Sequence, residues 1–446
     1  MARGPIFKKV KHTMSKRSPK KFIVVGQGGR EHALSHVLSL SSGADVLVSP
    51  GNPGMDDGRL GFLPSFPDDP KEASERIAAE KPDVVIIGPE KPLVAGLADC
   101  LKSRSIPVVG PTSEAARIEG SKLFAKEIMK QSGIPTAEFS EVTTVEEIRI
   151  LVRKWGYPLV LKEDGLAQGK GVWVMKTQDD LDEVLDRYFD REGKKQNVGR
   201  IYAEKGLSGP EVSYIVMTDG ERFLPFPTAR DFKRVGDGDT GPNTGGMGAL
   251  TPVPGWTPQD DESARMVIER CLWGLKKNGT PFMGFLYAGL MKTPSGIMVL
   301  EFNARFGDPE AQVLLPQVGE GFADLMEGLA KGSLPTSHPF KGRPTVGVVL
   351  ASPGYPEKPV TGGRIIGLDK VRKLESVKVY SAGIDLAPGG GKTDLVSSGG
   401  RVLTVSAEGD SLQAARSLAY SALELLHLPG GHYRSDIALS ESHEPL

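Results

Sequence analysis

The stretch Pro158–Met175, PLVLKEDGLAQGKGVWVM, determines how the rest of the chain is interpreted. A short apolar run leads into Lys162, a glycine-rich turn follows at 164–171, and a second β-rich run closes the stretch. Two short β runs joined through glycines predict a hairpin, whereas P-loop and dinucleotide motifs need a helix after the glycines. We therefore predict a flap whose backbone N–H groups, with Lys162 and Lys170, approach phosphate oxygens. Taken alone, the stretch fits an ordinary surface hairpin almost as well.

The bulk composition is that of a globular chain with several domains. Its 446 residues are 39% hydrophobic and 25% charged, and a chain of this length predicts roughly two to four domains. The 55 basic and 56 acidic residues give a net charge of -1, which provides no electrostatic footprint for nucleic acid or for an anionic membrane. No apolar run approaches the ~18 residues that span a bilayer. We therefore expect neither nucleic-acid nor membrane partners.

The cysteines and the first twenty residues indicate the cellular compartment in which the protein works. Cys100 and Cys271 are the two cysteines of the chain, and the absence of CxxC or paired histidines argues against disulfides and zinc and favours a reducing, cytoplasmic setting. The segment before Phe22 carries eight Lys or Arg and no acidic residue, without the apolar core of a secretory signal. We interpret residues 1–20 as a disordered upstream or cloning leader, with Met14 as the natural start; a targeting role is the alternative.

The segment after this leader predicts an open parallel sheet. In KFIVVGQGGREHALSHVLSL (21–40) an apolar strand runs into glycines and then an amphipathic helix. Further short apolar runs at 45–48, 83–87 and 107–109 alternate with helical segments, which is typical of a doubly wound α/β sheet. We expect this domain to cover residues 21–120.

The glycines after the first strand suit a phosphate better than a dinucleotide. Glu31 stands where the dinucleotide fingerprint needs its third glycine, which argues against NAD. The N-terminus of the following helix still favours an anion, and Arg30 adds a guanidinium. Ligands of such sheets bind beyond the carboxyl ends of the strands, where Gly28, Gly29 and Glu90 fall. Glu90 is explained equally well as a solvated loop carboxylate.

The segment 228–248, TARDFKRVGDGDTGPNTGGMG, is rich in glycine, aspartate and basic side chains and poor in residues that pack. Loops of this length without secondary structure are usually functional or disordered. We predict a loop that closes over substrate, with Lys233 among its anion-binding residues, in preference to a mobile surface loop.

The strongest chemical signal is IMVLEFNARFGDPEAQ at 297–312. The period of two that follows the apolar strand places Glu301 and Asn303 on one face. A carboxylate and an amide oxygen are hard ligands, which Mg²⁺ prefers when it also holds substrate phosphates. Arg305 and Asp308 follow in a turn, available to hold a carboxylate and an amine. The tail, 340–440, predicts a small α+β module with strands at 346–350 and 402–405 and a helix at 411–426, to which we assign no chemistry.

Together these motifs resemble the phosphoribosylamine–glycine ligases (glycinamide ribonucleotide synthetases), a family of the ATP-grasp superfamily. The resemblance extends from about Lys21 to Ile437. The motifs that carry it are GQGGREHA (26–33), GPEKPL (88–93), EGSKLFAK (119–126), KEDGLAQGKGV (162–172), GPNTGGMGA (241–249), GFLYAGLM (284–291), EFNARFGDPEAQ (301–312), SGGRVLTV (398–405) and YRSDIA (433–438).

The resemblance implies a central ATP-grasp fold at 121–330, with a flap subdomain at about 135–205. It also implies a reaction in which ATP, glycine and 5-phosphoribosylamine give ADP, phosphate and glycinamide ribonucleotide, and a monomer or small homo-oligomer. The implied ATP-binding residues are Lys126, Lys162, Gly165, Gly169, Lys170, Gly171, Glu204, Leu207 and Glu211, with the 204–207 linker at the adenine and Glu211 at the ribose. The implied substrate-binding residues are Gly28, Gly29, Arg30, Glu31, Glu90, Lys233, Asn243, Thr244, Gly245, Arg305 and Asp308. Arg305, Asp308 and Lys162 are the implied catalytic residues, and Glu301 and Asn303 the implied ligands of Mg²⁺ or Mn²⁺.

The sequence departs from the family pattern in several places, including Glu163 and Phe232. Glu163 stands beside the flap where the family usually has alanine, and Phe232 replaces the usual histidine. Three alternatives remain open from the sequence: another ATP-grasp ligase or carboxylase acting on a different acid, a non-catalytic nucleotide sensor, and, more weakly, a dehydrogenase.

Overall fold

The computed structural model describes residues 19–166, 171–189, 199–338, 340–391 and 393–440, except for the side chain of Arg187. Nearly all of the basic leader lies outside these ranges, as do Gly169 and Lys170 of the predicted flap. No helix within the described ranges is long and apolar enough to cross a membrane.

The N-terminal region folds as the predicted doubly wound sheet. Its five parallel strands, in the order β3-β2-β1-β4-β5, are β1 (Lys20–Gly26), β2 (Ala44–Pro50), β3 (Gly61–Phe62), β4 (Val84–Ile87) and β5 (Val108–Val109). Its helices are α1 (Gly29–Ser39), α2 (Pro70–Ala79), α3 (Glu90–Ala95), α4 (Leu97–Ser103) and α5 (Ser113–Gly120). The strand order reverses between β1 and β4, so the loops after these strands, at 26–29 and 88–90, form the crevice where ligands of such sheets bind.

The predicted hairpin forms one side of a small antiparallel sheet. After α6 (Lys122–Gln131), the sheet runs in the order β6-β9-β7-β8. Its strands are β6 (Phe139–Val142), β7 (Leu159–Glu163), β8 (Val172–Met175) and β9 (Ile201–Lys205), and its helices are α7 (Val145–Trp155) and α8 (Gln178–Tyr188). Lys162 pairs with Val172 across the hairpin and with Tyr202 of β9 on the other side. The flap therefore grows from a strand that is held on both edges.

A second antiparallel sheet carries the EFN motif. Its order is β11-β10-β16-β17, with β10 (Glu211–Thr218), β11 (Phe223–Pro225), β16 (Gly284–Thr293) and β17 (Gly296–Asn303). The helices α9 (Pro258–Lys277), α10 (Glu310–Leu314) and α11 (Phe322–Ala330) accompany it. One hydrophobic core contains Ile23 and Val85 of the N-terminal sheet together with Tyr214 and Ala288 of this sheet. The two sheets are thus packed on a shared apolar core.

The segment 228–248 differs from its prediction, because it is mostly extended and paired instead of forming a long loop without secondary structure. The strands β12 (Arg230–Asp231) and β15 (Gly248–Thr251) join the C-terminal sheet, and β13 (Arg234–Gly236) pairs with β14 (Thr240–Asn243). The turn between β13 and β14 is tied to the chain end, since Arg434 donates to Asp239 at 2.7 Å and Gly238 N–H donates to Asp436 at 2.7 Å. Phe232 packs beneath Arg434, whose guanidinium carbon lies 5.3 Å from the ring centre.

The tail forms the predicted α+β module, completed by strands from the middle of the chain. The sheet order is β12-β15-β18-β22-β19, with β18 (Thr345–Ala351), β19 (Val377–Ser381) and β22 (Arg401–Glu408), beside the hairpin of β20 (Ile384–Leu386) and β21 (Leu395–Ser397). Its helices are α12 (Leu368–Val371) and α13 (Leu412–Leu423). The apolar stripe of α13, including Ala415 and Ala419, is buried as expected.

A buried histidine joins the N-terminal and C-terminal sheets. His32 of α1 accepts a hydrogen bond from the Ser381 N–H through Nδ1 at 2.8 Å, and its ring meets Tyr380 edge-on. Burial, with smaller contributions from His36 and Arg372, lowers the pKa of His32 from 6.5 to about 3. Between these values the unfolded chain binds a proton that the folded chain does not, so stability falls as the pH falls.

We predict that His32→Asn flattens the acid side of the stability profile. From pH 7 to about pH 5 the wild-type free energy of unfolding should lose about 2 kcal/mol through His32, and the variant should lack this component. Urea denaturation at several pH values measures it, with the exposed His427→Asn as control. If the free energy of unfolding of His32→Asn depends on pH as steeply as that of the wild type, His32 does not contribute to the pH dependence of stability.

Candidate active site

Two lysines and a glutamate form the buried centre of the flap subdomain. Lys162 of β7 lies 2.6 Å from Glu204 of β9, and Lys126 of α6 forms an ion pair with the same carboxylate. Lys126 also donates to Thr136 at 2.6 Å. Burial alone would raise the pKa of Glu204, but Lys162 and Lys126 outweigh burial and hold it below its ordinary value. The two lysines that the resemblance assigned to ATP thus lie together, joined by the side chain of Glu204, whose linker the resemblance placed at the adenine.

The base of the flap is tied to the N-terminus of α6. Lys122 donates to the carbonyl oxygens of Glu163 at 3.0 Å and Gly165 at 2.8 Å. Asp164 accepts from Ser121 at 3.1 Å and from the Leu123 N–H at 3.1 Å. Lys122 and Asp164 lie in the motifs at 119–126 and 162–172 but had no predicted role.

Two predicted flap residues have backbones that require glycine. Gly165 and Gly171 have φ of +114° and +94°, in the region that side chains disfavour. The departure at Glu163 is accommodated at the edge of the flap, because its carboxylate accepts from the Gly199 N–H at 2.9 Å.

Glu301 and Asn303 lie side by side at the end of β17, on the face that the strand period predicts. Burial raises the pKa of Glu301, but Lys233, Lys162 and Arg305, together with a hydrogen bond from Asn303, lower it overall. The carboxylate is therefore ionised, which suits a hard divalent cation. Within the described ranges no group of three or more His, Cys, Asp or Glu side chains is placed to hold a metal. A carboxylate and an amide oxygen suit a cation such as Mg²⁺, which usually keeps water and substrate phosphates as its other ligands.

Arg305 lies in a network of carboxylates that crosses from the N-terminal sheet. Its guanidinium lies 2.9 Å from Glu119 and 3.6 Å from Glu90, and Glu119 also accepts the Ala304 N–H at 2.8 Å. Arg30 continues the network 4.0 Å from Glu90. Glu90 thus lies between two arginines. This position argues against the interpretation of Glu90 as a solvated loop carboxylate. Glu119 was quoted within a motif but given no role.

The Glu31 side chain requires glycine at the ends of β1 and β4. It accepts the Gly28 N–H at 2.7 Å and pairs with Arg30 at 2.6 Å. A Cβ at Gly26 or Gly88 would lie 2.4 Å or 2.2 Å from the Glu31 side chain, far inside contact distance. These two glycines therefore make room for a buried carboxylate.

Asp308 is held by a residue of the C-terminal module. Arg401 lies 3.1 Å from its carboxylate and donates to its carbonyl oxygen at 2.8 Å, and Gln312 donates to the carboxylate at 2.8 Å. Arg401 also donates to the carbonyl oxygen of Gly245 at 2.5 Å. Arg401 lies in the quoted motif at 398–405 but was assigned no role, because its partners lie more than ninety positions away in the sequence.

The remaining predicted residues lie around this centre. Lys233 pairs with Glu211, at the start of β10, at 2.9 Å, and Thr244 donates to the carbonyl oxygen of Lys233 at 2.8 Å. Asn243 ends β14, in register with Arg234. Leu207 is half-buried in the linker between β9 and β10.

A parallel N-terminal sheet, a flap subdomain, a sheet bearing paired hard ligands and a C-terminal module define an ATP-grasp protein. Family models of phosphoribosylglycinamide synthetase match their N domain to residues 20–119, their ATP-grasp (A) domain to 120–311 and their C domain to 345–440. The chain belongs to the phosphoribosylglycinamide synthetase family.

Individual relatives agree with the family models. The chain is 42% identical to phosphoribosylamine–glycine ligases of Xanthomonas axonopodis pv. citri and Streptomyces coelicolor, over 94% of its length and 97% and 98% of theirs. The crystal structure of the enzyme of that name from Thermotoga maritima is similar with a TM-score of 0.79 and 34% identity, covering 94% of this chain and all of that one. A biotin carboxylase from Campylobacter jejuni, at 16% identity and a TM-score of 0.67 over 96% of this chain and 95% of its own, shares the fold.

We predict that Glu204→Gln destabilises the fold by about 3–5 kcal/mol, because it leaves Lys126 and Lys162 buried without their countercharge. Urea denaturation measures the loss. The matched control is Glu138→Gln, whose exposed carboxylate lies 3.9 Å from Lys154 and Lys205 and should contribute at most about 1 kcal/mol. Equal losses in the two variants would show that Glu204 does not organise the lysines.

Proposed function

We propose that the chain catalyses the ATP-dependent joining of glycine to 5-phosphoribosylamine in purine biosynthesis, giving glycinamide ribonucleotide, ADP and phosphate. The observation that carries this proposal is the position of Glu301 and Asn303, at the end of one strand and within the electrostatic influence of Lys162, Lys233 and Arg305. Membership of the family supplies the substrates, since its curated relatives bear the name of this reaction.

The ATP end of the site is built for terminal phosphates. Lys126 and Lys162 contribute buried positive charge, and the flap adds backbone N–H groups. When the flap covers the nucleotide, it would also exclude water from the site. Glu301 and Asn303 would hold Mg²⁺, or Mn²⁺, which when bound supplies charge neutralisation for phosphoryl transfer. The linker at Glu204–Leu207 and Glu211 would contact adenine and ribose.

The acceptor end lies at the seam of the N-terminal and C-terminal sheets. Glycine's carboxylate is unreactive until it takes the γ-phosphoryl group, after which the amine of phosphoribosylamine displaces phosphate. Both steps gather negative charge, so catalysis should consist mainly of positioning and electrostatic stabilisation. Arg305 would orient the reacting carboxylate, and Asp308, oriented by Arg401, would orient the incoming amine.

The sugar phosphate is proposed to bind at the N-terminus of α1, through Gly28, Gly29 and Arg30, with Glu31 and Glu90 near the ribose. Lys233, Asn243, Thr244 and Gly245 would complete the substrate wall. The unpaired Cys100 and Cys271 suit a reducing compartment such as the cytoplasm. A monomer or small homo-oligomer remains the expectation from sequence.

The test of the reaction is ADP release with Mg²⁺ while glycine or phosphoribosylamine generated in situ is omitted in turn. We expect net turnover to require both. Turnover with another acid in place of glycine would overturn the substrate assignment, and ATP binding without any turnover would support a nucleotide sensor instead.

We predict that Glu301→Gln lowers kcat by about 100-fold or more and raises the Mg²⁺ concentration at half-maximal rate, because it removes one charge from the metal site. Thermal denaturation should show that the fold persists. The exposed Glu320→Gln serves as the control. Near-normal turnover with an unchanged metal requirement would mean that the metal site lies elsewhere.

A further inference from the structure

Arg434 is an almost fully buried arginine near the end of the described chain. Its guanidinium makes a forked contact with Asp436, in which Nε and Nη2 donate to the two carboxylate oxygens at 2.7 and 2.8 Å. Its Nη1 donates to the carboxylate of Asp239 at 2.7 Å and to the carbonyl oxygen of Arg234 at 3.2 Å. A buried guanidinium requires partners of this kind, and two of them belong to the β13–β14 hairpin. One side chain therefore joins the C-terminal module to this hairpin.

The contacts of Arg434 fall on both neighbours of Lys233. The ring of Phe232 lies beneath the guanidinium, whose carbon is 5.3 Å from the ring centre, and the Arg234 carbonyl oxygen accepts from Nη1. An aromatic face is a favourable surface for a buried guanidinium, so the departure from the family pattern at Phe232 still provides a ring for this contact. The backbone is thus held immediately before and immediately after Lys233.

Lys233 itself extends into the candidate active site. Its ammonium pairs with Glu211 at 2.9 Å. Burial raises the pKa of Glu301, and Lys233 is the first of the charges that lower it overall. The carbonyl oxygen of Lys233 accepts both the N–H and the hydroxyl of Thr244, at 2.7 and 2.8 Å. A shift of the backbone at Lys233 would therefore move a charge beside the proposed metal ligands and a residue of the proposed substrate wall together.

The segment that carries Arg434 is fixed on α13. The Tyr420 hydroxyl donates to the carbonyl oxygen of Arg434 at 2.7 Å and accepts the Ile437 N–H at 3.1 Å. Arg416 covers the Tyr420 ring, with its guanidinium carbon 4.5 Å from the ring centre, and donates to the Ile437 carbonyl oxygen at 3.0 Å. The guanidinium of Arg434 therefore projects from a backbone that the C-terminal module holds in place.

We propose that Arg434 is a positioning residue for Lys233: it fixes the backbone on both sides of that lysine and so sets the place of the ammonium in the active site. The inference rests on the proposed function, in which Lys233 binds substrate. A lysine at this position would keep the charge but lack the planar fork, so it could not hold Asp436, Asp239 and Arg234 together. Arg434→Lys is therefore the informative substitution.

A double-mutant cycle of Arg434→Lys with Lys233→Met tests whether Arg434 acts through Lys233. The quantity to measure is kcat/KM for glycine at saturating ATP, with phosphoribosylamine generated in situ. We expect Arg434→Lys to lower it about tenfold in the wild-type background, as misplacement of a substrate-positioning group does, but less than about twofold in the Lys233→Met background. Equal losses in the two backgrounds, or a loss below about twofold in the wild-type background, would overturn the proposal.

Arg416→Lys is the matched control, because the Arg416 guanidinium also stabilises the end of the chain. Within the described ranges, its hydrogen bonds go to the carbonyl oxygens of Ile437 and Ser435 and not to the hairpin. We expect kcat/KM for glycine in Arg416→Lys to stay within about twofold of wild type. A loss equal to that of Arg434→Lys would mean that general anchoring of the segment is what matters, and would overturn the proposal.

Phe232→Leu provides the same cycle if Arg434→Lys fails to fold. This substitution keeps an apolar side chain beneath Arg434 and removes the aromatic face. We expect about a threefold loss of kcat/KM in the wild-type background, as the modest strength of a cation–π contact implies, and no further loss in the Lys233→Met background. A threefold loss in both backgrounds would overturn the proposal.

Hydrogen exchange tests the positioning without any turnover. The Thr244 N–H, which donates to the Lys233 carbonyl oxygen, should exchange at least about tenfold faster in Arg434→Lys than in Arg416→Lys, because local opening of the hairpin becomes easier. Equal exchange of this N–H in the two variants would overturn the proposal. A wild-type protein without glycine-dependent ADP release would instead overturn the proposed function, and the exchange rates would still decide whether Arg434 positions Lys233.

Discussion

The ion pairs of Glu204 with Lys126 and Lys162 are the interaction on which the arrangement of the site depends. The three side chains come from β9, α6 and β7, and all three are almost fully buried. A buried charge that loses its partner costs several kcal/mol, so the helix and the two strands are held in one relative position. The flap then leaves this strand pair with Lys162 already at its base, and its first turn is fixed by Lys122 and Asp164.

Buried charges also need partners where the N-terminal sheet, the sheet that contains β17 and the C-terminal sheet meet. Arg305 pairs with Glu119 and Glu90, and Asp308 with Arg401 and Gln312, so each group expected to meet substrate already has a partner in the protein. Such pairs fix the side chains before a ligand arrives, which is the electrostatic preorganisation that acyl and phosphoryl transfer require. They also explain why the C-terminal module belongs to the site although its own sequence shows no catalytic pattern.

The sequence predicted what depends on local periodicity and on contiguous motifs. The parallel sheet, the hairpin at 159–175, the shared face of Glu301 and Asn303 and the stripe of α13 all follow from spacing within a few residues. The prediction that the segment 228–248 lacks secondary structure was wrong, because its extended form depends on strand partners near 345–351 and on Arg434, which local composition does not reveal. Glu119, Arg401 and the side-chain role of Glu204 were missed for the same reason: their partners are distant in sequence, and a charged residue in a short motif does not show which countercharge it will meet. Gly169 and Lys170 lie outside the described residues, so their role stays a prediction.

The account's central claim is that glycine's carboxylate is activated by phosphoryl transfer before the amine attacks. The most direct test is to run the complete reaction with glycine labelled with ¹⁸O in its carboxylate and to determine the isotope content of the released phosphate by mass spectrometry. Activation through glycyl phosphate predicts one labelled oxygen in each phosphate, because the acyl oxygen leaves with it. Phosphate released without label, while glycinamide ribonucleotide accumulates, would contradict the account.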